Sequence, residues 1–379
     1  MSARRTSNAI VVGAGIVGAA CAEALSRDGW GVTVVDKQFA SAGTTSVGMG
    51  HIVAMDDSPE QLALTELSIR LWRELAPELD ARSELDRCGT LWLAEDAEQF
   101  GAVGEKQRVY AAAGIASEVL SGDDVARVEP NLRPGLAGAL LVPGDSVVYP
   151  PGATLRLLEL ARARGAVLRE GVEAIELIDR GVRCATDTLH ADVVVNAAGA
   201  AAPSLTPELP IVPRKGHLAI TDRYPKFCHH QLVELGYLAS AHKMTTESVA
   251  FNVQPRSTGQ VLIGSSRELV GWDASLNERL LGEMLDRAVE LMPALRDLSI
   301  IRCWTGFRPA TPDKLPLIGA WTPIDGLYVA AGHEGLGITT SLGTARLIAD
   351  AVAGRASPIE AAPFSPMRVV SSAAEPGHA

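Results

Sequence analysis

Cysteine, positive charge and long apolar runs are scarce in this sequence of 379 residues. Its five cysteines are odd in number and widely scattered, with no Cys-x-x-Cys pair. This excludes a disulfide scaffold and predicts a reducing, cytoplasmic location. The eight histidines show no metal-ligand spacing, so no metal site is expected. A net charge of −11 argues against nucleic acid and anionic membrane surfaces as partners. No uninterrupted apolar run reaches the roughly 18 residues of a transmembrane helix.

The first forty residues contain the pattern of a dinucleotide-binding unit. An apolar strand runs into Gly-x-Gly-x-x-Gly (Gly13, Gly15 and Gly18), an alanine-rich helix follows, and a second strand ends at Asp36. The glycines permit a tight turn, close approach of a pyrophosphate and close helix packing. Asp36 is placed to accept hydrogen bonds from a ribose diol, and its charge repels the 2′-phosphate of NADP. The alternative is a glycine-rich turn that serves packing only.

Two further glycine-rich turns follow predicted strands, at residues 196–199 and 332–337. Each turn brings backbone N–H groups to the carboxyl end of a parallel strand, where α/β folds bind their ligands. The second turn leads directly into a helix, whose N-terminus stabilises negative charge. Packing alone explains one such turn, but it is a poor explanation for three.

The chain alternates between α/β segments and β-rich segments. This order predicts an α/β fold (α+β overall), in which a discontinuous Rossmann-like domain carries an inserted domain with a mixed β-sheet. The Rossmann-like domain is assigned residues 1–85, 146–210 and 304–357, and the inserted substrate domain is assigned residues 86–145 and 211–303. The remaining residues, 358–379, are rich in Ser, Ala and Pro and are predicted to form a flexible tail.

Arg308 is the strongest candidate for binding a substrate. It lies among small and apolar residues with prolines close by, and a guanidinium there can hold a carboxylate through two parallel hydrogen bonds. The alternative is a structural ion pair with Asp313.

The other candidates carry less specific signals. His51 and His333 lie in glycine-rich turns and could act on a proton, although a structural role is the alternative for each. Tyr237 and Trp272 could line a pocket or be ordinary sheet residues. The charged residues of the segment 215–217 are expected to be solvated.

Together these motifs resemble the FAD-dependent amino-acid oxidoreductases of the D-amino-acid oxidase, glycine oxidase and sarcosine oxidase family. The resemblance runs from residue 9 to about residue 352 and includes Arg-Pro-x-Thr-x-Asp-x-x-Pro-x-Ile-Gly at 308–319, which plain nicotinamide dehydrogenases lack. Within that family, Gly-Met-Gly-His at 48–51 and Cys-Gly-Thr-Leu-Trp-Leu-Ala at 88–94 look most like bacterial D-hydroxyproline dehydrogenase-type proteins.

The resemblance implies bound FAD and roles for several residues. Arg308 is implied to bind the substrate carboxylate, Val172 to hold the adenine side through its backbone, and residues 332–339 to hold the flavin pyrimidine edge. Gly306 stands where monomeric sarcosine oxidases carry a flavin-linked cysteine, so the FAD is expected to be non-covalent. The expected FAD contacts are Gly13, Gly15, Ile16, Val17, Gly18, Asp36, Lys37, Thr44, Thr45, Ser46, Gly48, Met49, Gly50, Val172, Ala198, Gly199, Gly306, Arg308, Gly332, His333, Gly335, Leu336, Gly337, Ile338 and Thr339.

The sequence therefore predicts oxidation of an amino or cyclic imino acid, of D configuration and D-hydroxyproline-like. Hydride would pass from Cα to flavin N5 and leave an imine. Arg308, His51, His333 and Tyr237 are the candidate catalytic residues. The partners are a small carboxylate-bearing substrate and an electron acceptor of unknown kind, and homo- and hetero-oligomers are both open. The alternatives are a flavoprotein dehydrogenase of 2-hydroxy acids and a flavin-carrying subunit of a multisubunit dehydrogenase.

Overall fold

A computed structural model describes residues 7–236 and 247–369. Its strands are β1 (Asn8–Val12), β2 (Gly31–Asp36), β3 (His51–Ile52), β4 (Thr90–Ala94), β5 (Glu118–Ser121), β6 (Gly138–Val142), β7 (Ser146–Val147), β8 (Val167–Glu170), β9 (Ala174–Ile178), β10 (Gly181–Cys184), β11 (Thr188–His190), β12 (Val193–Asn196), β13 (Val212–Thr221), β14 (Gln231–Glu234), β15 (Glu247–Pro255), β16 (Val261–Glu268), β17 (Ile300–Ala310), β18 (Leu317–Ala320) and β19 (Leu327–Ala331). Its α-helices are α1 (Ile16–Arg27), α2 (Pro59–Leu75), α3 (Ala97–Ala112), α4 (Gly122–Val128), α5 (Pro150–Ala163), α6 (Glu278–Leu291) and α7 (Gly337–Ala353). Every helix within the described ranges is too short or too polar to span a bilayer.

A six-stranded sheet carries the three glycine-rich turns. Its order is β18-β19-β12-β1-β2-β8, and all neighbours are parallel except β18, which is antiparallel to β19. Successive side chains of β1 point to opposite faces, as the period of two requires. Val11 packs on the side of α1, α5 and α7, whereas Ile10 and Val12 pack on the side of the three-stranded sheet β9–β11. This arrangement confirms the predicted Rossmann-like unit.

An eight-stranded mixed sheet forms the second part of the molecule. Its order is β17-β13-β16-β15-β14-β4-β6-β5, with β14 and β4 parallel and the other pairs antiparallel. The apolar side of α6, including Met284 and Leu291, packs on one face through Phe251 and Ile263. The other face is turned toward the glycine turns of the first sheet, because Gly306 of β17 lies against Val47. The mixed substrate sheet that the sequence predicted is therefore present.

The structure corrects two of the predicted boundaries. Strand β17 pairs with β13 from Ile300 to Ala310, so residues 304–310 belong to the eight-stranded sheet and not, as predicted, to the Rossmann-like domain. Residues 358–369, predicted to be flexible, are packed against the body of the protein. Phe364 is buried and Arg368 pairs with Asp313 at 2.8 Å, which anchors this segment. Residues 370–379 lie outside the described ranges.

Candidate active site

A cavity of about 650 Å³ lies between the two sheets. It begins at the carboxyl ends of β1, β2 and β12 and reaches β13 and β17 of the eight-stranded sheet. The predicted FAD contacts that line it are Gly13, Gly15, Ile16, Val17, Asp36, Lys37, Thr44, Thr45, Ser46, Gly48, Met49, Gly50, Val172, Ala198, Gly199, Gly306, Arg308, His333, Gly335, Gly337 and Ile338. The fold thus brings residues from the start, middle and end of the chain to one cavity.

Four predicted contacts lie outside this lining for identifiable reasons. Gly18 faces the carbonyl oxygen of Gly13, where it permits close packing of α1. Gly332 adopts a φ of +82° and packs against Thr311. Leu336 precedes α7 and packs against the apolar core. Thr339 uses its hydroxyl to donate to the carbonyl oxygen of His51 at 2.9 Å. These four residues support the cavity and do not face it.

The first glycine turn forms a cradle that side chains would fill. Gly13 has a φ of +107°, and a Cβ atom there would collide with the carbonyl of Ala197. A Cβ atom on Gly15 would approach Thr45 Oγ1 to 3.1 Å. Helix α1 then begins without a side-chain cap from Gly15, although Thr45 Oγ1 accepts the N–H of Ile16 at 3.0 Å. The turn therefore leaves backbone close to the cavity, as a pyrophosphate site requires.

Asp36 both faces the cavity and holds the glycine turn. Its Oδ2 accepts the N–H of Ala14 at 2.7 Å, and its Oδ1 accepts the N–H of Gln38 at 2.8 Å. The backbone carbonyl of Asp36 accepts the N–H of Val172 at 2.8 Å, which brings Val172 to the same part of the cavity. Because an ionised carboxylate offers about four acceptor positions, Asp36 keeps capacity for a ribose diol.

The start of helix α7 is a second cradle on the cavity. Gly335, Gly337 and Ile338 line the cavity, and no side chain caps the helix at Leu336. The first N–H groups of a helix have no partner within the helix, and its dipole end is positive. Such a helix start stabilises the negative charge that a reduced flavin carries at its pyrimidine edge. The two glycine cradles therefore fit FAD.

Arg308 of β17 is held in place by the neighbouring strand β13 and by the next strand in the sheet, β16. Its Nη1 donates to the carbonyl oxygen of Ser266 at 3.0 Å. The guanidinium lies over Gly216, where a Cβ atom would collide with Nη1 and Cζ. Asp313, the alternative partner that the sequence suggested, forms its ion pair with Arg368 at 2.8 Å. Arg308 is thus directed across the sheet and lines the cavity.

His51 lies in the cavity near Arg308. Its Nε2 is buried without a hydrogen-bond partner among the described residues. Burial lowers the pKa of His51 to about 4, the side chain of Gln254 opposes this shift, and the charge of Arg308 adds to it. The ring is therefore neutral at pH 7. It can exchange one hydrogen bond with a bound molecule, but it is a weak base.

The ring of His333 forms a hydrogen bond within the protein. Its Nε2 lies 2.9 Å from Thr344 Oγ1 of helix α7. Burial lowers the pKa of His333 to about 3, so the ring is neutral. This contact ties the last glycine turn to the helix that follows, and it removes the support for a catalytic role of the ring. Tyr237, the remaining catalytic candidate, lies outside the described residues.

The segment 215–217 was expected to be solvated, and this expectation is wrong. Lys215 is 1% exposed and its Nζ lies 3.2 Å from Glu268 Oε2. His217 is fully buried, with Nδ1 at 2.7 Å from Ser266 Oγ and Nε2 accepting the N–H of Asn277 at 3.0 Å. These residues form a buried polar network because β13 is an interior strand of the sheet.

Sequence reasoning missed Gly216, Ser266 and Gln254. Gly216 and Ser266 position Arg308, whereas Gln254 adjoins His51 and donates to the carbonyl oxygen of Met49 at 2.7 Å. Ser266 is 42 positions from Arg308, and only cross-strand register brings the two together. Gly216 lies between Lys215 and His217 at the start of a predicted strand. This glycine was the one signal in the sequence that could have indicated space for another side chain above the strand.

This architecture defines a class of protein. A Rossmann-like sheet with glycine cradles for FAD faces a mixed sheet that presents an arginine to the same cavity, as in two-domain flavin oxidoreductases. The chain belongs to the FAD dependent oxidoreductase (DAO) family, whose model matches residues 8–351.

Individual relatives extend over nearly the whole chain. A D-amino acid dehydrogenase of Methylobacterium sp. (strain 4-46) is 30% identical and covers 91% of this chain and 95% of its own length. A hydrogen cyanide synthase subunit of Pseudomonas aeruginosa is 29% identical, with 95% of each chain covered. The crystal structure of glycine oxidase from Geobacillus kaustophilus matches with a TM-score of 0.85 at 28% identity and covers 96% of this chain and 99% of that one. The chain is therefore an FAD-dependent oxidoreductase of a family that oxidises amino acids.

Proposed function

We propose that the protein oxidises an amino or cyclic imino acid of D configuration at Cα and releases an imine. The single observation that carries this proposal is the placement of Arg308, whose guanidinium is fixed over Gly216 at a cavity that fits FAD. FAD, when bound, supplies the hydride acceptor.

Arg308 binds the substrate carboxylate and thereby orients Cα–H. A guanidinium forms two parallel hydrogen bonds with a carboxylate, which fix orientation as well as position. The bond to the Ser266 carbonyl, at 3.0 Å, sets the direction of the side chain before the substrate arrives. This preorganisation reduces the entropy that binding costs, and orientation is the largest contribution of the protein to the rate.

His51 holds the amine end of the substrate through one hydrogen bond. The His51 ring lines the cavity and is neutral, because burial lowers its pKa to about 4. The positive charge of Arg308 disfavours an ammonium group nearby and so favours the unprotonated amine from which hydride can leave. The proton itself passes to solvent, since so weak a base retains none at pH 7.

FAD is held without a covalent bond. Gly306 lines the cavity, and the resemblance to monomeric sarcosine oxidases places their flavin-linked cysteine at this position. Cys303 packs on the opposite side of β17, against the core that α6 covers. Asp36 and Val172 hold the adenosine end, and the start of α7 holds the flavin end. Purified protein should be yellow, and acid precipitation should release the colour into the supernatant; colour that stays in the pellet overturns the non-covalent assignment.

Anaerobic reduction of the flavin by a panel of compounds tests the reaction class. The panel compares D-alanine, D-proline and 4-hydroxy-D-proline with their L enantiomers and with D-lactate. Bleaching by the D-amino or D-imino acids supports the proposal. Bleaching by D-lactate alone supports the 2-hydroxy-acid alternative.

A second function, as a flavin-carrying subunit, is favoured by one observation. The Pseudomonas aeruginosa relative, 29% identical, is a subunit of hydrogen cyanide synthase. Steady-state turnover of the isolated chain with an artificial electron acceptor separates the two functions. Turnover supports an independent enzyme, whereas flavin reduction without turnover supports a subunit that passes electrons to a partner.

A further inference from the structure

A short 3₁₀ helix, Gly43–Val47, touches both glycine cradles of the cavity, and we call it the linking segment. Thr45 holds it to the first cradle, because Thr45 Oγ1 accepts the N–H of Ile16 at 3.0 Å. The next residue after the segment, Gly48, lies against Ile338 at the start of α7. A Cβ atom on this glycine would approach Ile338 Cδ1 to 3.0 Å. The linking segment is therefore fixed relative to the two places where FAD fits.

Two hydrogen bonds fasten the same segment to β17, the strand that carries Arg308. Thr44 Oγ1 donates to the carbonyl oxygen of Phe307 at 2.6 Å. Trp304 Nε1 donates to the carbonyl oxygen of Val47 at 3.1 Å. Both partners on β17 lie within four residues of Arg308, so the segment holds the part of the strand from which the guanidinium projects.

Packing at Gly306 adds a third contact between the linking segment and β17. A Cβ atom on Gly306 would collide with Val47 Cγ2, so the valine side chain occupies the space that this glycine leaves open. Strand β17 lies at the end of its sheet and has β13 as its one neighbour among the described strands. The linking segment therefore supplies contacts that a second neighbouring strand would otherwise provide.

Arg308 is sensitive to the position of its strand. Its Nη1 donates to the carbonyl oxygen of Ser266 at 3.0 Å. Its stem runs beside the second cradle, where a Cβ atom on Gly335 would meet Arg308 Cδ at 3.7 Å. Packed interiors transmit small displacements because they contain few voids. A shift of β17 against the linking segment would therefore move the guanidinium relative to FAD bound in the two cradles.

We propose that Thr44, Val47 and Trp304 are positioning residues, which fix Arg308 in relation to bound FAD. This inference rests on the proposed function, in which Arg308 orients Cα–H of the substrate. A misplacement of about 1 Å can lower the rate of an enzymatic reaction about a hundredfold. The three contacts should therefore contribute more to the rate constant of flavin reduction than to the affinity for the substrate.

A size exchange at positions 306 and 47 tests the packing contact. Gly306→Ala should push the linking segment away from β17, because the added Cβ atom collides with Val47 Cγ2. Val47→Ala in the same chain removes Cγ2 and leaves the two Cβ atoms 3.2 Å apart, so that a small shift accommodates both. If the added Cβ atom acted on FAD directly, Val47→Ala would not restore the function.

Stopped-flow reduction of the holoenzyme by its fastest amino or imino acid is the main measurement. We expect the rate constant to fall about tenfold or more in Gly306→Ala and to recover at least in part in the double variant. The dissociation constant of the substrate should change much less than the rate constant in both variants. FAD content and melting temperature show that the proteins are loaded and folded.

The two hydrogen bonds are tested by variants that keep the size of the side chain similar. Trp304→Phe removes the donor to Val47 at a residue outside the cavity lining and should lower the rate constant. Thr44→Val removes the donor to Phe307, whereas Thr44→Ser keeps a hydroxyl and should restore most of the rate. The matched control is Thr188→Val, the same exchange at an exposed position of β11, which should react like the wild type.

The absorption spectrum of the flavin gives a readout that does not depend on turnover. Butyrate and butyramide have similar shapes, but only butyrate carries a carboxylate. Butyrate should change the visible spectrum of the wild-type holoenzyme more than butyramide does, because Arg308 holds the carboxylate beside the flavin. The change should be smaller in Gly306→Ala and return in the double variant.

The outcomes separate this inference from the proposed function. If amino acids reduce the flavin and both Gly306→Ala and Trp304→Phe react as fast as the wild type, the positioning role is wrong and the proposed function stands. A slow Gly306→Ala that Val47→Ala does not restore contradicts the positioning role as well. If no amino acid reduces the flavin, the proposed function fails, and the spectral response to butyrate still tests the position of Arg308. Equal responses of the wild type to butyrate and butyramide would then overturn this inference too.

Discussion

Arg308 and Gly216 occupy the same space above strand β13: the guanidinium lies where a side chain at position 216 would stand. Arg308 can reach the carbonyl oxygen of Ser266, at 3.0 Å, only because position 216 has no Cβ atom. A Cβ atom at position 216 would also lie 2.7 Å from the backbone carbonyl oxygen of Ser266. The glycine is therefore required both by the position of the arginine and by the close approach of strand β16.

Gly216→Ala should displace Arg308 and lower the rate constant of flavin reduction by substrate at least tenfold, with FAD retained. The Cβ atom collides with the far end of the Arg308 side chain and, at 2.7 Å, with the backbone carbonyl oxygen of Ser266, so we expect Arg308 to move and β16 to shift locally while the fold persists. The control is Gly282→Ala in helix α6, where a Cβ atom meets nothing within 4 Å and alanine favours the helix. Stopped-flow reduction and thermal melting are the measurements. Unchanged reduction in Gly216→Ala would show that the position of Arg308 is not important for catalysis.

Asp36→Ala should weaken FAD retention about ten- to a hundredfold. The substitution removes a charge-assisted hydrogen bond to ribose, worth roughly 1.5–3 kcal/mol, and it frees the N–H of Ala14 in the glycine turn. Flavin remaining after dialysis, measured by absorbance, checks this expectation. Asp123→Ala, which removes an exposed carboxylate from helix α4, should keep its flavin. Equal retention by both variants would contradict the role of Asp36.

Asp145 should make the stability of the protein depend on pH. It is 1% exposed, its Oδ1 accepts the N–H of Ala54 at 3.1 Å, and burial raises its pKa to about 7. The folded protein binds this proton more tightly than the unfolded chain. The resulting stabilisation is present below pH 4 and is lost as pH rises to about 7.

Asp145→Asn keeps the acceptor for Ala54 and cannot ionise. It should therefore melt at a higher temperature than the wild type at pH 8, by an amount that corresponds to roughly 1–3 kcal/mol. At pH 4 the two proteins should melt at similar temperatures, which serves as the internal control. A difference of equal size at both pH values would show that ionisation of Asp145 is not the cause.

Local patterns in the sequence predicted the part of the site that the backbone builds. Gly13, Gly15 and Asp36 belong to one βαβ unit, in which strand, turn and helix are adjacent in the chain, so their roles follow from spacing. The roles of Gly335 and Gly337 in the last glycine-rich turn were predicted by the same reasoning. Arg308 was predicted because its neighbours are small, apolar and proline-rich.

Cross-strand register determines where the remaining residues around the site lie. Register cannot be read from a single sequence. The pairing of β13 with both β17 and β16 places Lys215 and His217 in a buried network, although a strand start with two charges is typical of a solvated edge. The same pairing places residues 304–310 in the eight-stranded sheet and not in the Rossmann-like domain that the sequence predicted. Arg214 lies directly opposite Arg308 for the same reason, although 94 positions separate the two in the sequence.

The most direct test of the carboxylate role is the preference of Arg308→Leu for an amino acid over its amide. Removal of a bidentate charged pair from a dry pocket costs about 2–5 kcal/mol. The variant should keep FAD and thermal stability, lose most of the flavin reduction by the acid, and discriminate less between acid and amide than the wild type. Arg308→Lys should recover the activity only in part, because a point charge cannot form two parallel bonds. If Arg308→Leu instead loses stability and FAD together while its acid-to-amide preference persists, Arg308 is structural and the carboxylate clamp is refuted.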